Sequence, residues 1–489
     1  MQKISHNEWP EIVFGSSESA QSQAIRRAVK TGKLHKIAPK LYTSNFKETP
    51  ASVVARNCYQ ILGEFFPSAV ISHRSALEGG VHDNAIILTY KYTKKISLPG
   101  LQIRLISGHG AAAGDTPFMS ELFMASRARA LLENLTQSRG HEEIKKNLSR
   151  HQIEEMLDKL CRIYGEEELN HLRDQARQLA KILHLEKEFK LLEKIISAML
   201  GSQSIKSLHS ENARARAMGK PFDAPRLELF SALFAFLKKE ILPLKKQAIH
   251  STQQLHNLAF FEAYFSNYIE GTEFAVDEAA DIIFHHKLTP QRPQDAHDIT
   301  ATFQIVANTA EMNKTPKSAD ELITLLKKRH NILMETRNDK QPGVFKTIAN
   351  RVGNTIFVLP ELMEGTFLKA FSLYENLDPG IARAIFMMFL VSEIHPFLDG
   401  NGRIARMMMN AELVHTGECR IIIPTVFRED YLLALRQLSR NNVADGYVRM
   451  LLRAQAFTHS FDFSEYQKAL QQLTASHAFL EPHEGKLTF

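Results

Sequence analysis

The feature that most constrains the fold is the run IARAIFMMFLVSEI (Ile381 to Ile394), which is apolar almost all round. A helix with apolar residues on every side has to be buried, so this run predicts a central helix. The residues that follow, HPFLDGNGRIAR (His395 to Arg406), are polar and contain two glycines and two arginines. The sequence therefore predicts a buried helix followed directly by a polar loop, and this loop is the candidate functional site.

At 489 residues the chain is too long for one ordinary core, and two or three domains are expected. Charged residues at 23% and hydrophobic residues at 44% indicate a globular protein and exclude a fibrous or disordered one. Cys58, Cys161 and Cys419 are too far apart for a disulfide framework or a CxxC metal cage. Neither a secretory signal nor a membrane span is evident, so we expect a cytoplasmic protein with no membrane partner.

The net charge of +6 is concentrated in the N-terminal part. Residues 1–140 hold 17 Lys and Arg against 10 Asp and Glu, whereas the remainder holds 43 against 44. Any attraction to a polyanion such as DNA is therefore expected from residues 1–140.

Short helices and strands alternate in this N-terminal part, which we predict to be one domain. The apolar pattern predicts a helix that ends near Gly32, strands at 34–37 and 41–43, and a helix from about Pro50 to Phe65. The segments AIILTY and KKISLPGLQIRLIS predict further strands, and the second segment is a hairpin. Small helices with a short sheet on a basic segment suggest a winged helix-turn-helix.

Three stretches of the N-terminal part, KLHKIAPKLYTS, AVISHRSALEGG and TPFMSELFMASRARALLENL, carry a family resemblance. They resemble the N-terminal region of AbiEi-type antitoxins and related regulators, over about 130 residues. The resemblance implies binding of DNA or of a partner protein. A basic, solvated surface on a small docking domain is the alternative, and the residues leave both open.

The rest of the chain is predicted to be largely helical. Residues 141–215 indicate a helical connector, 216–470 a helical domain, and 471–489 a C-terminal tail. The exception is GVFKTIANRVGNTIFVLP, which predicts a β-hairpin around a turn at Gly353-Asn354. The predicted fold class is mainly α, with a small α+β winged-helix-like domain in front.

The polar loop has the residue types of a phosphate site. Gly400 and Gly402 allow a ligand to approach the backbone, and the N–H groups at a helix start attract anions. Arg403 and Arg406 are three residues apart on the same helix turn, and two guanidinium groups suit a polyphosphate. Asn401 lies between the two glycines.

Two further side chains of the loop are suited to bind a metal ion and to accept a proton. Asp399 is the hard carboxylate that Mg²⁺ prefers when phosphates provide the other ligands. His395 is the group that can accept a proton near neutral pH. These parts predict transfer of part of a nucleotide onto a hydroxyl, and the spacing leaves open which phosphorus is attacked.

The loop resembles the motif of the Fic family, H-x-F-x-(D/E)-G-N-G-R-x-x-R, at every fixed position. The resemblance implies AMP transfer from ATP to a Ser, Thr or Tyr hydroxyl of a protein target or of the protein itself. It implies that His395 is the general base, that Asp399 binds Mg²⁺, that Gly400, Asn401 and Gly402 form the anion hole, and that Arg403 and Arg406 hold the β- and γ-phosphates. The hairpin at about 346–359 is then the family's flap, which holds the target segment.

A second motif, FSNYIEGTEF, lies about 125 residues before the loop. Ser266 and Glu270 are four residues apart and share one face of a helix that Gly271 ends. The stretch resembles the Fic inhibitory motif, (S/T)-x-x-x-E-(G/N), of the class with an N-terminal inhibitory helix. The resemblance implies that Glu270 reaches Arg406, takes the place of the γ-phosphate and holds the enzyme off.

The alternative function is a DNA-binding regulator in which the loop senses ATP or modifies the protein itself. It predicts salt-dependent DNA binding through residues 1–140, with His395 dispensable. The oligomeric state, the target and the role of Glu270 in removing AMP are left open by the sequence.

Overall fold

A computed structural model describes residues 9–137, 144–247, 249–353 and 355–489. The chain divides into two compact units, Met1–Gly219 and Lys220–Phe489. The boundary predicted at residues 140 and 141 lies outside the described residues, and the division into four parts stays a prediction. Throughout the described ranges, no helix has the length and apolar character needed to cross a membrane.

The chain is mainly helical, with a small α+β region near its N-terminus, as predicted. In the first unit the strands are β1 (Ile12–Phe14), β2 (His35–Ala38), β3 (Leu41–Thr43), β4 (Val70–Ile71), β5 (Ala85–Tyr90), β6 (Lys94–Leu98), β7 (Leu101–Ser107), β8 (Thr116–Pro117) and β9 (Phe123–Met124). The helices are α1 (Ser19–Lys30), α2 (Pro50–Arg56), α3 (Cys58–Phe65), α4 (His73–Leu77), α5 (Arg127–Asn134), α6 (Arg150–Tyr164), α7 (Glu166–Leu183), α8 (Glu186–Met199) and α9 (Glu211–Ala217).

Two sheets organise the beginning of the first unit. The smaller is antiparallel, in the order β1-β3-β2, and the larger has the order β6-β7-β5-β4-β9-β8 with parallel pairs β5–β7 and β4–β9. Helices α2 and α3 pack on the larger sheet through buried residues such as Val54 and Leu62. Before α2, the described residues contain one helix, α1, and the winged helix-turn-helix stays a prediction.

The single helix predicted from Pro50 to Phe65 is wrong, because it is interrupted at Asn57. The side chain of Asn57 donates hydrogen bonds to the carbonyl oxygen of Val53 and to Glu11, both at 2.9 Å. Such side-chain bonds compete with the helical pattern and separate α2 from α3. Helices α6 to α9, in the predicted connector, pack with α5 around a core of their own.

The second unit is helical. Its helices are α10 (Ala224–Lys239), α11 (Thr252–Ile269), α12 (Val276–His285), α13 (Pro293–Ala307), α14 (Thr309–Met312), α15 (Ala319–Leu333), α16 (Met363–Tyr374), α17 (Ile381–Ile394), α18 (Asn401–Thr416), α19 (Arg428–Asn441), α20 (Ala444–His459) and α21 (Tyr466–Ala475). The predicted central helix is α17, whose residues are nearly all buried against α10, α16 and α18. Leu473, Ala478 and Leu487, in the predicted tail, are buried in the same core.

The predicted hairpin is present and short. It consists of β10 (Arg351–Val352) and β11 (Thr355–Ile356), paired antiparallel. Asn354, placed by the sequence in the turn, lies outside the described residues. The hairpin precedes α17 in the chain, and its flanking residues contact the polar loop.

Candidate active site

His395 ends the buried helix α17 and lines a cavity. Its backbone is left-handed (φ 52°), which turns the chain out of the helix. Nδ1 lies 3.3 Å from the carbonyl oxygen of Ser392, so Nδ1 carries the proton and Nε2 keeps its lone pair. Burial lowers the pKa of His395 to about 4, so the ring is neutral at pH 7. A neutral histidine with an available Nε2 is suited to accept a proton from a hydroxyl.

Side chains from two helices fix the loop that follows. Asn401 accepts a hydrogen bond from the backbone N–H of Phe397 and donates one to its carbonyl, each at 2.9 Å. Phe397 is buried, and its ring stacks on His330 with the ring centroids 3.7 Å apart. Nε2 of His330 lies 3.1 Å from the carbonyl oxygen of Asp399. Asn401 is therefore a structural member of the loop as well as the first residue of α18.

The first turn of α18 presents its backbone N–H groups. Gly400 is left-handed (φ 75°) and donates its own N–H to Asp399 Oδ1 at 2.6 Å. The N–H groups of Asn401, Gly402 and Arg403 have no partner inside the helix, because they lie in its first turn. Within the described residues no side chain caps this helix either. Unpartnered amides at a helix start form an anion-binding site.

Asp399 stands beside this turn with 44% of its side chain exposed. Its Oδ1 lies 4.0 Å from Nη2 of Arg403. An exposed carboxylate next to an anion-binding turn fits Mg²⁺, which takes one or two carboxylates together with phosphate oxygens. No three His, Cys, Asp or Glu side chains within the described ranges form a metal cluster.

Arg403 points into the interior, where it is paired. Its Nη1 lies 2.5 Å from Asp298 Oδ2 and 3.4 Å from Asn267 Oδ1. Asp298 is fully buried on α13 and also accepts a hydrogen bond from Arg337 at 2.9 Å. Arg403 is therefore held by a buried counter-charge. In the part of the chain that is described, its Nε has no hydrogen-bond acceptor.

Arg406 is buried and forms hydrogen bonds with residues at the end of α11. Its Nε donates to Ser266 Oγ at 2.9 Å, and its Nη2 donates to the Ser266 carbonyl at 2.8 Å. Nη2 also donates to Glu270 Oε1 at 2.7 Å. Nη1 has no acceptor in the described ranges. Ser266 and Glu270 thus meet Arg406 across 140 and 136 residues of chain.

The Glu270 carboxylate lies directly over Gly402. A Cβ atom added to Gly402 would come within 2.1 Å of Glu270 Oε1. Burial opposes the charge of Glu270, but Arg406 outweighs burial, and the pKa of Glu270 is lowered. The anion-binding turn therefore already faces a charged carboxylate of the protein itself. Gly271, left-handed at φ 88°, follows the end of α11 as predicted.

A family model described as the Fic/DOC family matches residues 322–413. A Fido domain-containing protein of Dictyostelium discoideum is 31% identical over 103 residues, which cover 20% of this chain and 72% of that protein. The chain belongs to the Fic/DOC family. Protein adenylyltransferase fic-1 of Caenorhabditis elegans is 26% identical over 251 residues, 49% of this chain and 47% of that protein. The chain thus matches about half the length of this relative. Fic-1 from C. elegans (residues 134–508) aligns over 66% of this chain and 94% of that structure, with 16% identity and a TM-score of 0.36.

The hairpin before the Fic motif covers one side of a cavity of about 330 Å³. The ring of Phe357, next to β11, stacks on His395 with the centroids 3.8 Å apart and the planes 6° apart. The other walls come from the ends of α11 and α17, the start of α18, and α19. The lining side chains include Glu270, Val352, Thr355, Ser392, Glu393, Tyr431, Leu435, Arg436, Ser439 and Arg440.

Sequence reasoning missed three residues of the Fic site. Asp298 and His330 are described above, and Lys346 is buried under the hairpin, where Nζ donates to Asn350 Oδ1 at 2.6 Å and to the Ile394 carbonyl at 3.3 Å. Burial lowers the pKa of Lys346 to about 8. Asp298 had a detectable signal, because a carboxylate stands on the apolar stripe of a predicted helix and has to be paired.

Proposed function

We propose that this protein transfers AMP from ATP to a Ser, Thr or Tyr hydroxyl of a protein, and that Glu270 holds this activity off. The observation that carries the proposal is that His395 and the anion-binding turn line one cavity. A histidine with an available Nε2 lines the same cavity as Gly402. The two groups suit a hydroxyl nucleophile and the phosphate that it attacks.

In the proposed reaction the hydroxyl oxygen attacks the α-phosphorus of ATP. The bond from that phosphorus to the β-phosphate oxygen breaks, and pyrophosphate leaves. His395 Nε2 takes the hydroxyl proton, while the N–H groups of Asn401 and Gly402 stabilise the charge on the phosphate oxygens. Bound beside Asp399, Mg²⁺ would neutralise the charge of the leaving pyrophosphate.

Arg403 and Arg406 both supply N–H donors for the polyphosphate in this proposal. The free Nε of Arg403 and the free Nη1 of Arg406 are donors without partners in the described residues. Nη2 of Arg406 is occupied by Glu270, which supports the proposal that Glu270 stands where a terminal phosphate would bind. A misplaced polyphosphate leaves the α-phosphorus out of line with the hydroxyl, and orientation governs the rate of such a transfer.

The test is incubation of the purified variants with Mg²⁺ and ATP carrying ³²P at the α-phosphate, with a lysate as the source of targets. Label should enter protein with Glu270→Gly and be lost with Glu270→Gly/His395→Ala and Glu270→Gly/Asp399→Ala. The matched control is Glu270→Gly/His415→Ala, because His415 lies at the far end of α18 and also contacts a backbone carbonyl, that of Asn313 at 3.0 Å. Absence of label from Glu270→Gly would contradict the proposed activity.

A second candidate, DNA binding by the first unit, is favoured by one observation. Arg26, Arg27, Lys30, Lys33 and Lys36 are all exposed on α1 and the residues after it, and no acidic side chain in the described ranges pairs with them. Such a basic strip suits a phosphate backbone. It predicts a DNA mobility shift that weakens steeply with salt and is lost on charge reversal at Lys30 and Lys36. A shift that is unchanged by these reversals would exclude the strip.

A further inference from the structure

The flap hairpin is too small to hold its position alone. It contains two residue pairs, and Val352 and Ile356 are 63% and 59% exposed. An isolated two-stranded hairpin is marginally stable in water, so its position has to be set by tethers. On the side of β10, the N–H of Lys346 donates to the carbonyl of Pro396 at 2.8 Å, and Asn350 donates to the carbonyl of Phe397 at 3.0 Å.

On the side of β11, an arginine at the start of α10 is hydrogen-bonded to the backbone of the flap. Nη2 of Arg226 donates to the backbone carbonyl of Ile356 at 2.5 Å, and Nη1 pairs with the Glu393 carboxylate. Glu393 is 3% exposed and also accepts a hydrogen bond from Ser439 Oγ at 3.0 Å. Since Glu393 lies two residues before His395, Arg226 links the flap strand to the helix end that carries His395.

A guanidinium group is suited to this link. Its planar fork presents several N–H donors in fixed directions, so one side chain serves a carboxylate and a carbonyl at once. Both bonds are charge-assisted, and Arg226 is 15% exposed, which limits competition from water. Arg440 adds a weaker side-chain contact to Thr355 Oγ1 at 3.2 Å.

We propose that Arg226 is a positioning residue for protein targets. It sets the place of β11 relative to His395, so that a hydroxyl on a segment held against the flap comes within reach of His395 Nε2. This inference rests on the proposed AMP transfer and concerns the protein acceptor, not ATP. ATP contacts the anion-binding turn, which Arg226 does not touch. Loss of Arg226 should therefore reduce transfer to protein without weakening ATP binding.

The experiment uses the full chain with Glu270→Gly as parent and adds Arg226→Ala or Arg226→Lys. Self-labelling from α-³²P-ATP is followed beside the release of free AMP to water, because water as acceptor does not need the flap. A nitroxide spin label attached to the cysteine of Arg351→Cys reports flap mobility. The label attaches selectively at this position because Cys58, Cys161 and Cys419 are buried. The matched control is Arg383→Ala, which removes an arginine that donates to two backbone carbonyls near the other end of α17.

With Arg226→Ala we expect a more mobile nitroxide, a fall of about 10-fold or more in the ratio of protein-bound to free AMP, and a KM for ATP within about two-fold of the parent. Arg226→Lys should restore part of the ratio, since an ammonium group reaches one partner at a time. If Arg226→Ala fails to fold, Arg226→Lys and Glu393→Gln carry the test.

Unchanged nitroxide mobility, or a KM for ATP that rises as much as the ratio falls, would overturn the inference. An equal effect of Arg383→Ala would do the same. If the parent forms neither labelled protein nor free AMP, the proposed transfer fails, while the nitroxide still decides whether Arg226 tethers the flap.

Discussion

The sharpest prediction concerns the contact between Glu270 and Arg406. It is one charge-assisted hydrogen bond of 2.7 Å on a buried guanidinium, and such a bond contributes about 1.5 to 3 kcal/mol. In the proposed reaction, the γ-phosphate of ATP has to displace the carboxylate before it can bind Nη2 of Arg406. Since 1.36 kcal/mol corresponds to a factor of ten, Glu270→Gly should raise the rate of AMP transfer about 10- to 100-fold.

The same substitution should lower stability. Arg406 keeps its two bonds to Ser266 but loses its counter-charge, which costs about 1 to 3 kcal/mol and a few degrees of Tm. A variant that is less stable and more active is the signature of a released brake, because general damage to the fold would lower both quantities. Glu270→Gln keeps the size of the side chain without its charge and should give an intermediate rate.

The assay is the initial rate of protein labelling from α-³²P-ATP, with thermal unfolding of the same samples. Glu273→Gly is the matched control, because it makes the same change in an exposed glutamate three residues further along the chain. Equal labelling by wild type and Glu270→Gly would refute the brake. If Glu273→Gly labels as strongly as Glu270→Gly, the cause is loss of order at the helix end and the ion pair is irrelevant.

Three further predictions follow from the site. In the Glu270→Gly background, Gly402→Ala should lower labelling about 100-fold, because its Cβ fills the anion-binding turn. Burial lowers the pKa of His330 to about 4 from 6.5. Stability should therefore fall as pH drops from 6.5 to 4, by about 2 to 3 kcal/mol at pH 4.5, and urea titrations of His330→Asn should lack that loss. Asp298→Asn should cost about 3 to 5 kcal/mol in the same titrations, because it removes the counter-charge at 2.5 Å from the buried Arg403.

Each of these predictions has a contrary outcome. Labelling that survives Gly402→Ala would mean that phosphates do not contact Gly402. A pH dependence of unfolding that is equal in wild type and His330→Asn would mean that His330 titrates normally in the folded chain. A mild effect of Asp298→Asn would show that Arg403 finds another acceptor or water.

The central features of the site were predictable because they are local in sequence. The helix Ile381–Ile394 matches the apolar run, since a helix without a polar face has one stable place, the core. The left-handed Gly400 and the helix start at Asn401 follow from short-range backbone preferences. The approach of Glu270 to Arg406 was expected from the family resemblance, and the two residues are in contact.

What the sequence did not predict depends on pairs of residues that are distant in the chain. Arg403 meets Asp298 across 105 residues, and Arg226 meets Glu393 across 167. Neither spacing nor periodicity specifies such a partner, because it is set by how α13 packs near α18 and α10 packs against α17. The interruption at Asn57 has the same origin, since Glu11 is 46 residues away.

The two arginines of the motif differ in a way that explains where a brake can act. Asp298 is fully buried and pairs with both Arg403 and Arg337. Removing the Asp298 carboxylate therefore leaves the buried charge of Arg403 with no water to solvate it. The Glu270 side chain is 29% exposed and sits at the end of α11, with Gly271 next to it. Rotating this carboxylate into solvent costs less, because water then solvates the carboxylate in place of Arg406. If Glu270 acts as the proposed brake, we expect regulation at Arg406 while Arg403 stays fixed, so that a signal that moves the end of α11 need not disturb the core.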